Sequence, residues 1–118
     1  MVRSLQVFIP VLALAASAAS PALAQGEIGT IARGAYACEM PGDVRGAAGV
    51  PQPDQSFTIE NASRYNAPQG GGTYLRRGDT VTFTTGARSG EAYRIVGRDF
   101  LRKLEGGEPG RLRCVRQG

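Results

Sequence analysis

Two cysteines, Cys38 and Cys114, are the residues of this chain best suited to covalent chemistry, and the sequence contains no others. They lie near opposite ends of the chain that follows residue 24. A redox-active pair normally has the close spacing Cys-x-x-Cys, whereas distant cysteines in an exported protein normally form a structural disulfide. We therefore predict a Cys38–Cys114 disulfide, with two free redox thiols as the alternative. The chain-entropy model gives a bridge of this span roughly 4 to 5 kcal/mol of stabilisation.

Histidine is absent from the sequence. This removes the commonest general base, the usual partner of a nucleophilic serine or cysteine, and the commonest metal ligand. Carboxylates could pair for glycoside hydrolysis, but most of the acidic residues fall in predicted turns or at exposed strand positions, and no two are marked as a pair. We predict a non-enzymatic protein with no cofactor and no metal site.

Positive charge is concentrated near the C-terminus. Residues 91–118 carry seven basic side chains against four acidic ones, whereas residues 25–90 carry six of each. Arg94, Arg111 and Arg113 are the candidate partner-binding residues of this segment. A basic face of this kind suits anionic lipid headgroups, cell-wall polymers or an acidic protein, and the alternative is a solvated strand face that keeps the protein soluble. We predict no nucleic-acid partner.

The first 24 residues predict that the protein is exported. Arg3 gives a positively charged start, residues 7–19 form an almost unbroken apolar run, and Ala22-Leu23-Ala24 is a small-x-small cleavage site. The apolar run is too short to span a bilayer as a helix, and no cysteine follows closely enough to take a lipid anchor. We therefore expect a signal peptide at residues 1–24 and one soluble β domain at residues 25–118, periplasmic or extracellular.

Alternation of apolar and polar side chains predicts strands through most of this domain. Tyr36, Cys38 and Met40 share one face, and a period of two is typical of a half-buried strand. Phe57, Tyr93 and Ile95 are likewise predicted to point inward. The same pattern, interrupted by glycine and proline, predicts about seven strands, at residues 34–40, 56–60, 72–76, 80–85, 92–96, 99–104 and 111–116.

Glycine and proline predict the connections between these strands. Arg77-Gly78-Asp79 is predicted to be a tight hairpin turn. Residues 44–55 hold two glycines and two prolines and are expected to form the longest loop. Residues 61–72 are polar and end in three glycines, which favours a flexible loop that carries Tyr65 back onto the core.

These elements favour an all-β antiparallel meander that curls into a small barrel or sandwich. A disulfide from the first strand to the last would join the two open edges of the meander and suppress pairing with other chains. Whether the barrel interior is packed or hollow then decides between a function at the surface and the binding of a small apolar ligand.

The pattern Ser89-Gly90-Glu91-Ala92-Tyr93 resembles the Ser-Gly-x-x-Tyr loop of periplasmic inhibitors of animal-type lysozyme. Those inhibitors are also small exported β-barrels, with a Tyr-x-Cys near the start and a cysteine near the end. The resemblance implies that Ser89 and Tyr93 enter the cleft of a cell-wall hydrolase. Strand alternation instead places Tyr93 in the core and makes the segment an ordinary hairpin turn.

A second resemblance extends from residue 34 to residue 116. The chain is similar to a group of short exported bacterial β proteins without established activity, which often carry the label of translation elongation factor P by automatic transfer. A signal peptide argues against that label, because the factor works on cytosolic ribosomes. The motifs that carry the resemblance belong to the framework: Gly34-x-Tyr36-x-Cys38, Phe57-Thr58-Ile59, Gly72-Thr73-Tyr74-Leu75, Gly78-Asp79-Thr80-Val81-Thr82-Phe83, Phe100-Leu101-Arg102 and Arg113-Cys114-Val115-Arg116.

Overall fold

The structure, a computed structural model, describes residues 27–42 and 49–118. The predicted signal peptide lies outside these residues. Within them no helix is long and apolar enough to span a membrane, and the described helical segment is a single 3-10 turn at Pro53–Gln55. The strands are β1 Ile28–Gly29, β2 Gly34–Pro41, β3 Gly49–Pro51, β4 Phe57–Glu60, β5 Arg64–Ala67, β6 Gly70–Arg77, β7 Thr80–Phe83, β8 Ala92–Gly97, β9 Phe100–Glu105 and β10 Glu108–Arg116.

The strands form an antiparallel meander that closes into a barrel. From β4 to β10 each strand pairs with the next along the chain, and β4 also pairs with β2. The pairing of β10 with β2 completes a ring of eight strands, while the short β1 and β3 lie off the ring beside β6 and β2. The predicted all-β antiparallel barrel is confirmed. Its strand count exceeds the expected number because β5 lies where a loop was predicted.

The predicted disulfide joins β2 to β10 at the point where the ring closes. Cys38 and Cys114 are directly opposite each other in the antiparallel register, and their Cα atoms lie 4.0 Å apart. Directly opposed residues have neighbouring Cβ atoms, so the bridge forms without a change of register. Both cysteines are at most 3 % exposed. The bridge is therefore part of the barrel interior and reinforces a pairing of strands that the backbone also makes.

Aromatic side chains fill the barrel interior. The rings of Tyr65 and Phe83 stack with centroids 4.0 Å apart, Phe57 packs edge-on against Phe83 at 5.2 Å, and Tyr36 stacks on Phe57 at 5.2 Å. All four residues are at most 3 % exposed. Tyr36, Phe57 and Tyr65 point inward as the sequence predicts. The interior is therefore packed with side chains, and the larger depressions of the described surface open to solvent.

The glycines at positions 70–72 belong to a strand, so the prediction of a flexible loop over residues 61–72 is wrong. These glycines begin β6 and pair with β5. A Cβ atom on Gly72 would overlap the carbonyl of Thr85, and one on Gly86 would overlap the carbonyl of Gly71. The glycines are needed because the segment that follows β7 crosses directly over the start of β6.

The predicted loop over residues 44–55 contains two short elements. Gly49–Pro51 forms β3, which pairs with the second half of β2, and Pro53–Gln55 is the 3-10 turn. Residues 43–48 lie outside the described part of the chain. Proline is compatible with these elements because β3 is an edge strand and a proline can begin a helical turn.

Removing the disulfide with Cys38→Ala and Cys114→Ala should lower the free energy of unfolding by roughly 4 to 5 kcal/mol. The unfolded chain then regains the freedom of a loop closed over 76 residues. Urea unfolding followed by tyrosine fluorescence measures the change. Equal unfolding midpoints for the oxidised protein and the double variant would contradict this role.

Gly86→Ala should destabilise the protein by about 1 to 3 kcal/mol more than Gly90→Ala. Both glycines have a positive φ, +96° and +99°, so the backbone strain of an alanine is matched between the two variants. Gly86 also packs against Gly71 and the hydroxyl of Tyr65, whereas no atom lies within 4 Å of a Cβ at Gly90. Thermal unfolding of both variants measures the difference. Equal losses of stability would show that a methyl group at position 86 fits without a steric clash.

Candidate functional site

The connection between β7 and β8 covers one end of the barrel and places an arginine inside it. Arg88 is 5 % exposed although it lies in a turn. Its Nη1 donates to the carbonyl of Ser56 at 2.8 Å, and its Nη2 donates to the carbonyl of Gln55 at 2.9 Å. Its guanidinium lies 5.7 Å from the ring centroid of Phe57 and 5.6 Å from that of Phe83. Arg88 therefore connects the β7–β8 turn to the 3-10 turn and to the aromatic core.

Glu91 and Tyr93 complete a buried polar network with this arginine. Arg88 Nε lies 3.0 Å and 3.1 Å from the two carboxylate oxygens of Glu91, and Arg88 Nη2 donates to the Tyr93 hydroxyl at 2.9 Å. The Tyr93 hydroxyl in turn donates to Glu91 Oε1 at 3.1 Å. Lys103 Nζ lies 3.5 Å from the same oxygen and donates to Gln55 Oε1 at 3.1 Å. Several hydrogen bonds to charged groups thus offset the cost of burying the arginine.

The protonation states of this network are settled at neutral pH. Burial opposes ionisation of Glu91, but the hydrogen bonds and charge of Arg88, with help from Lys103 and Tyr93, outweigh it and lower the pKa of Glu91. Burial raises the pKa of the Tyr93 phenol. Glu91 is therefore anionic and Tyr93 neutral at pH 7, which suits an ion pair that holds the turn in place.

The structure separates Ser89 from Tyr93. Ser89 is exposed in the β7–β8 turn, and its hydroxyl lies 3.4 Å from the carbonyl of Thr84. Tyr93 is 0 % exposed, as its inward position in the strand pattern predicts. In this arrangement the phenol is bound to Arg88 and Glu91, so the hydrolase-binding alternative is left with Ser89 alone on the surface of the loop.

Arg94 and Arg113 lie on the outer wall of the barrel in one row with Arg102. Arg94 of β8 is directly opposite Arg102 of β9, which is directly opposite Arg113 of β10. We call Arg94, Arg102 and Arg113 the arginine row. Like charges opposite each other on neighbouring strands repel, so this row carries an electrostatic cost that the fold tolerates.

The three members of the arginine row differ in how they are held. Arg113 is paired with Glu39, its Nη2 lying 2.7 Å from Oε2. Arg102 donates Nε and Nη2 to the carbonyl of Gly110 at 3.0 Å and 2.5 Å. Arg94 Nε is buried without a hydrogen-bond partner among the described residues and lies 3.9 Å from Asp79 Oδ2. A carbonyl has no net charge, so the charge of Arg102 is not paired with a carboxylate of the described chain. The distant carboxylate of Asp79 neutralises Arg94 only weakly.

Arg111, the remaining candidate, lies two residues before Arg113 on β10, next to the row. It is exposed and makes no hydrogen bond or ion pair with any residue that the structure describes. Arg111, Arg102 and Arg113 line one depression of the outer wall. The structure therefore places Arg111 and Arg113 in one depression with Arg102. Arg94 lies beside Arg102 on the neighbouring strand.

Sequence reasoning did not single out Arg88 or Arg102. Arg88 lies between Gly86 and Gly90, where a charged side chain is usually solvated, so no local signal marks it as buried. Arg102 was detectable, because it follows the inward-facing Leu101 in β9 and must point outward by alternation. Its position opposite Arg94 and Arg113 depends on register, which alternation alone does not give.

Comparison with models of protein families, with curated proteins and with solved structures gives no match. Among the described residues no group of three or more histidine, cysteine, aspartate or glutamate side chains is arranged to hold a metal ion. Function is therefore inferred from the side chains of this chain.

Arg88→Met should lower the free energy of unfolding by roughly 2 to 4 kcal/mol, because the Glu91 carboxylate and two backbone carbonyls lose the hydrogen bonds that Arg88 donates to them. This range allows for the 24 % exposure of the Glu91 side chain, which water partly solvates. Urea unfolding at pH 7 measures the loss. The double variant Arg88→Met with Glu91→Gln should lose less than the sum of the single variants, and strict additivity would contradict the pairing.

The pH dependence of the same measurement tests the charge of Glu91. Its folded-state pKa lies below the ordinary value of 4.5, so the unfolded chain binds the proton more tightly. The contribution of Glu91 is therefore complete above that value and is lost as the pH falls through the folded-state pKa. Wild type should lose stability there relative to Glu91→Gln, while Glu60→Gln, which alters an exposed carboxylate of β4, should follow wild type.

Proposed function

We propose that this chain is an exported, non-enzymatic β-barrel domain that binds anionic material of the cell envelope through the outer face of β8, β9 and β10. The observation that carries the proposal is the arginine row together with Arg111. These four cations lie on three adjacent strands of one wall, and Glu39 is the carboxylate within hydrogen-bonding distance of the row among the described residues.

The packed interior supports a function at the surface. A small apolar ligand needs an enclosed cavity, and the rings of Tyr65, Phe83 and Phe57 occupy the centre of this barrel at contact distances. The end beneath the β7–β8 turn is filled by Arg88. A binding partner is therefore expected to meet the outer wall.

The disulfide supports the proposed compartment. A buried bridge between directly opposed strands persists in an oxidising environment and is rare in the cytosol. This agrees with the signal peptide predicted at residues 1–24. An envelope compartment would also supply the anionic lipids and polymers that a basic wall attracts.

Replacing Arg94, Arg111 and Arg113 together with glutamine should abolish retention of the protein on anionic envelope material. The probes are phosphatidylglycerol vesicles, purified peptidoglycan and immobilised polygalacturonate, each tested by co-sedimentation or on a column at low and physiological salt. Retention of wild type should decrease as salt rises, because exposed charges are screened. Circular dichroism checks that the triple variant is folded.

A pair of variants with equal loss of charge separates position from net charge. Arg94→Gln with Arg111→Gln removes two charges from the proposed face, and Arg33→Gln with Arg64→Gln removes two exposed charges elsewhere. We expect the first variant to lose retention and the second to keep it. Unchanged retention of the triple variant, or equal loss in both double variants, would overturn the proposed surface.

A further inference from the structure

The depression on the outer wall next to the arginine row combines positive charge with apolar surface. It has a volume of about 380 Å³ and is open to solvent. Two strands contribute its cations and three segments contribute its apolar groups, and the lining residues are Pro41, Val96, Phe100, Arg102, Arg111 and Arg113. We call this depression the Phe100 groove.

Two of the three cations of the Phe100 groove are oriented before any ligand binds. Two hydrogen bonds to the carbonyl of Gly110 hold Arg102, and the carboxylate of Glu39 holds Arg113. Arg111 has no hydrogen bond or ion pair with a described residue. Arg102 and Arg111 therefore have no carboxylate partner among the residues that the structure describes. A guanidinium fork binds carboxylate, sulfate or phosphate oxygens in pairs. A bound anion would also relieve the repulsion between Arg102 and Arg113.

The apolar groups of the Phe100 groove restrict the kind of anion. Phe100 is outward-facing because Leu101 beside it is buried in the core, and Val96 is 48 % exposed. An inorganic anion gains nothing from such side chains, whereas a pyranose ring has apolar C–H faces that pack on aromatic and aliphatic surface. A membrane is nearly flat and meets protruding side chains, whereas this site is concave. The shape and the charge together favour an acidic sugar ring.

We infer that the Phe100 groove binds an acidic pyranose unit of an anionic polysaccharide, with its acid group on Arg102 and Arg111 and its ring against Phe100 and Val96. The inference rests on the proposed function, because it names the ligand class of the same wall. It adds that binding of the ligand needs its pyranose ring as well as its negative charge.

Titration with tri-galacturonate, followed by calorimetry or NMR shifts, tests the inference. Arg111→Gln should weaken binding roughly tenfold or more, since one charge-assisted pair is lost. Phe100→Ala should also weaken binding of tri-galacturonate but leave retention on polyphosphate unchanged, because polyphosphate binds by charge alone. Phe100→Leu, which keeps apolar volume, should retain part of the affinity. Arg64→Gln, on β5 at the opposite side of the ring, is the charge-matched control and should bind as wild type does.

The outcomes separate this inference from the proposed function. Retention on phosphatidylglycerol vesicles or polyphosphate without measurable binding of tri-galacturonate would overturn the inference and leave the basic wall intact. Equal binding by Phe100→Ala and wild type would also overturn it. Failure of wild type to bind any of the anionic probes would overturn the proposed function itself.

Discussion

The pairing of β2 with β10 is the constraint on which the rest of this structure depends. Among the described strands of the ring, every other neighbouring pair is joined by a local connection, whereas this pair brings together residues more than 70 positions apart, such as Arg113 and Glu39. Without it the strands would form an open curved sheet with two uncovered edges. The disulfide is placed at this one pairing, where loop closure costs the most entropy. The arginine row also depends on it, since Arg113 is held by Glu39 across the same pair of strands.

Arg88 closes one end of the barrel, a part of the structure for which a small domain has few residues. The eight-residue turn between β7 and β8 contains no large apolar side chain that could cover this end. It brings instead a long side chain whose stem packs in the interior and whose charged end joins Gln55, Ser56, Glu91 and Tyr93. The close crossing at Gly72 and Gly86 holds the same turn from the other side. The β7–β8 turn is therefore fixed on both of its sides.

Much of this fold was predictable from the sequence, for a physical reason. Residues that alternate between core and solvent leave a period of two, so Tyr36, Phe57 and Tyr93 were placed correctly. Glycine has no side chain to alternate, so the start of β6 was mistaken for a loop. β5 was missed because it is only four residues long and has Tyr65 as its one large apolar side chain. The site was harder to predict. Arg94, Arg111 and Arg113 were chosen by charge, but Arg102 and Phe100 join them only through the register of β9, which no local pattern contains.

The place of β10 in the chain has a consequence for how the protein is made. A ribosome or a translocation channel delivers β2 through β9 before it delivers the partner that β2 requires. During that interval the nascent chain holds hairpins that can form early, together with an unpaired strand edge that can associate with other nascent chains. The time between the synthesis of β2 and that of β10 therefore sets how long the nascent chain is exposed to aggregation.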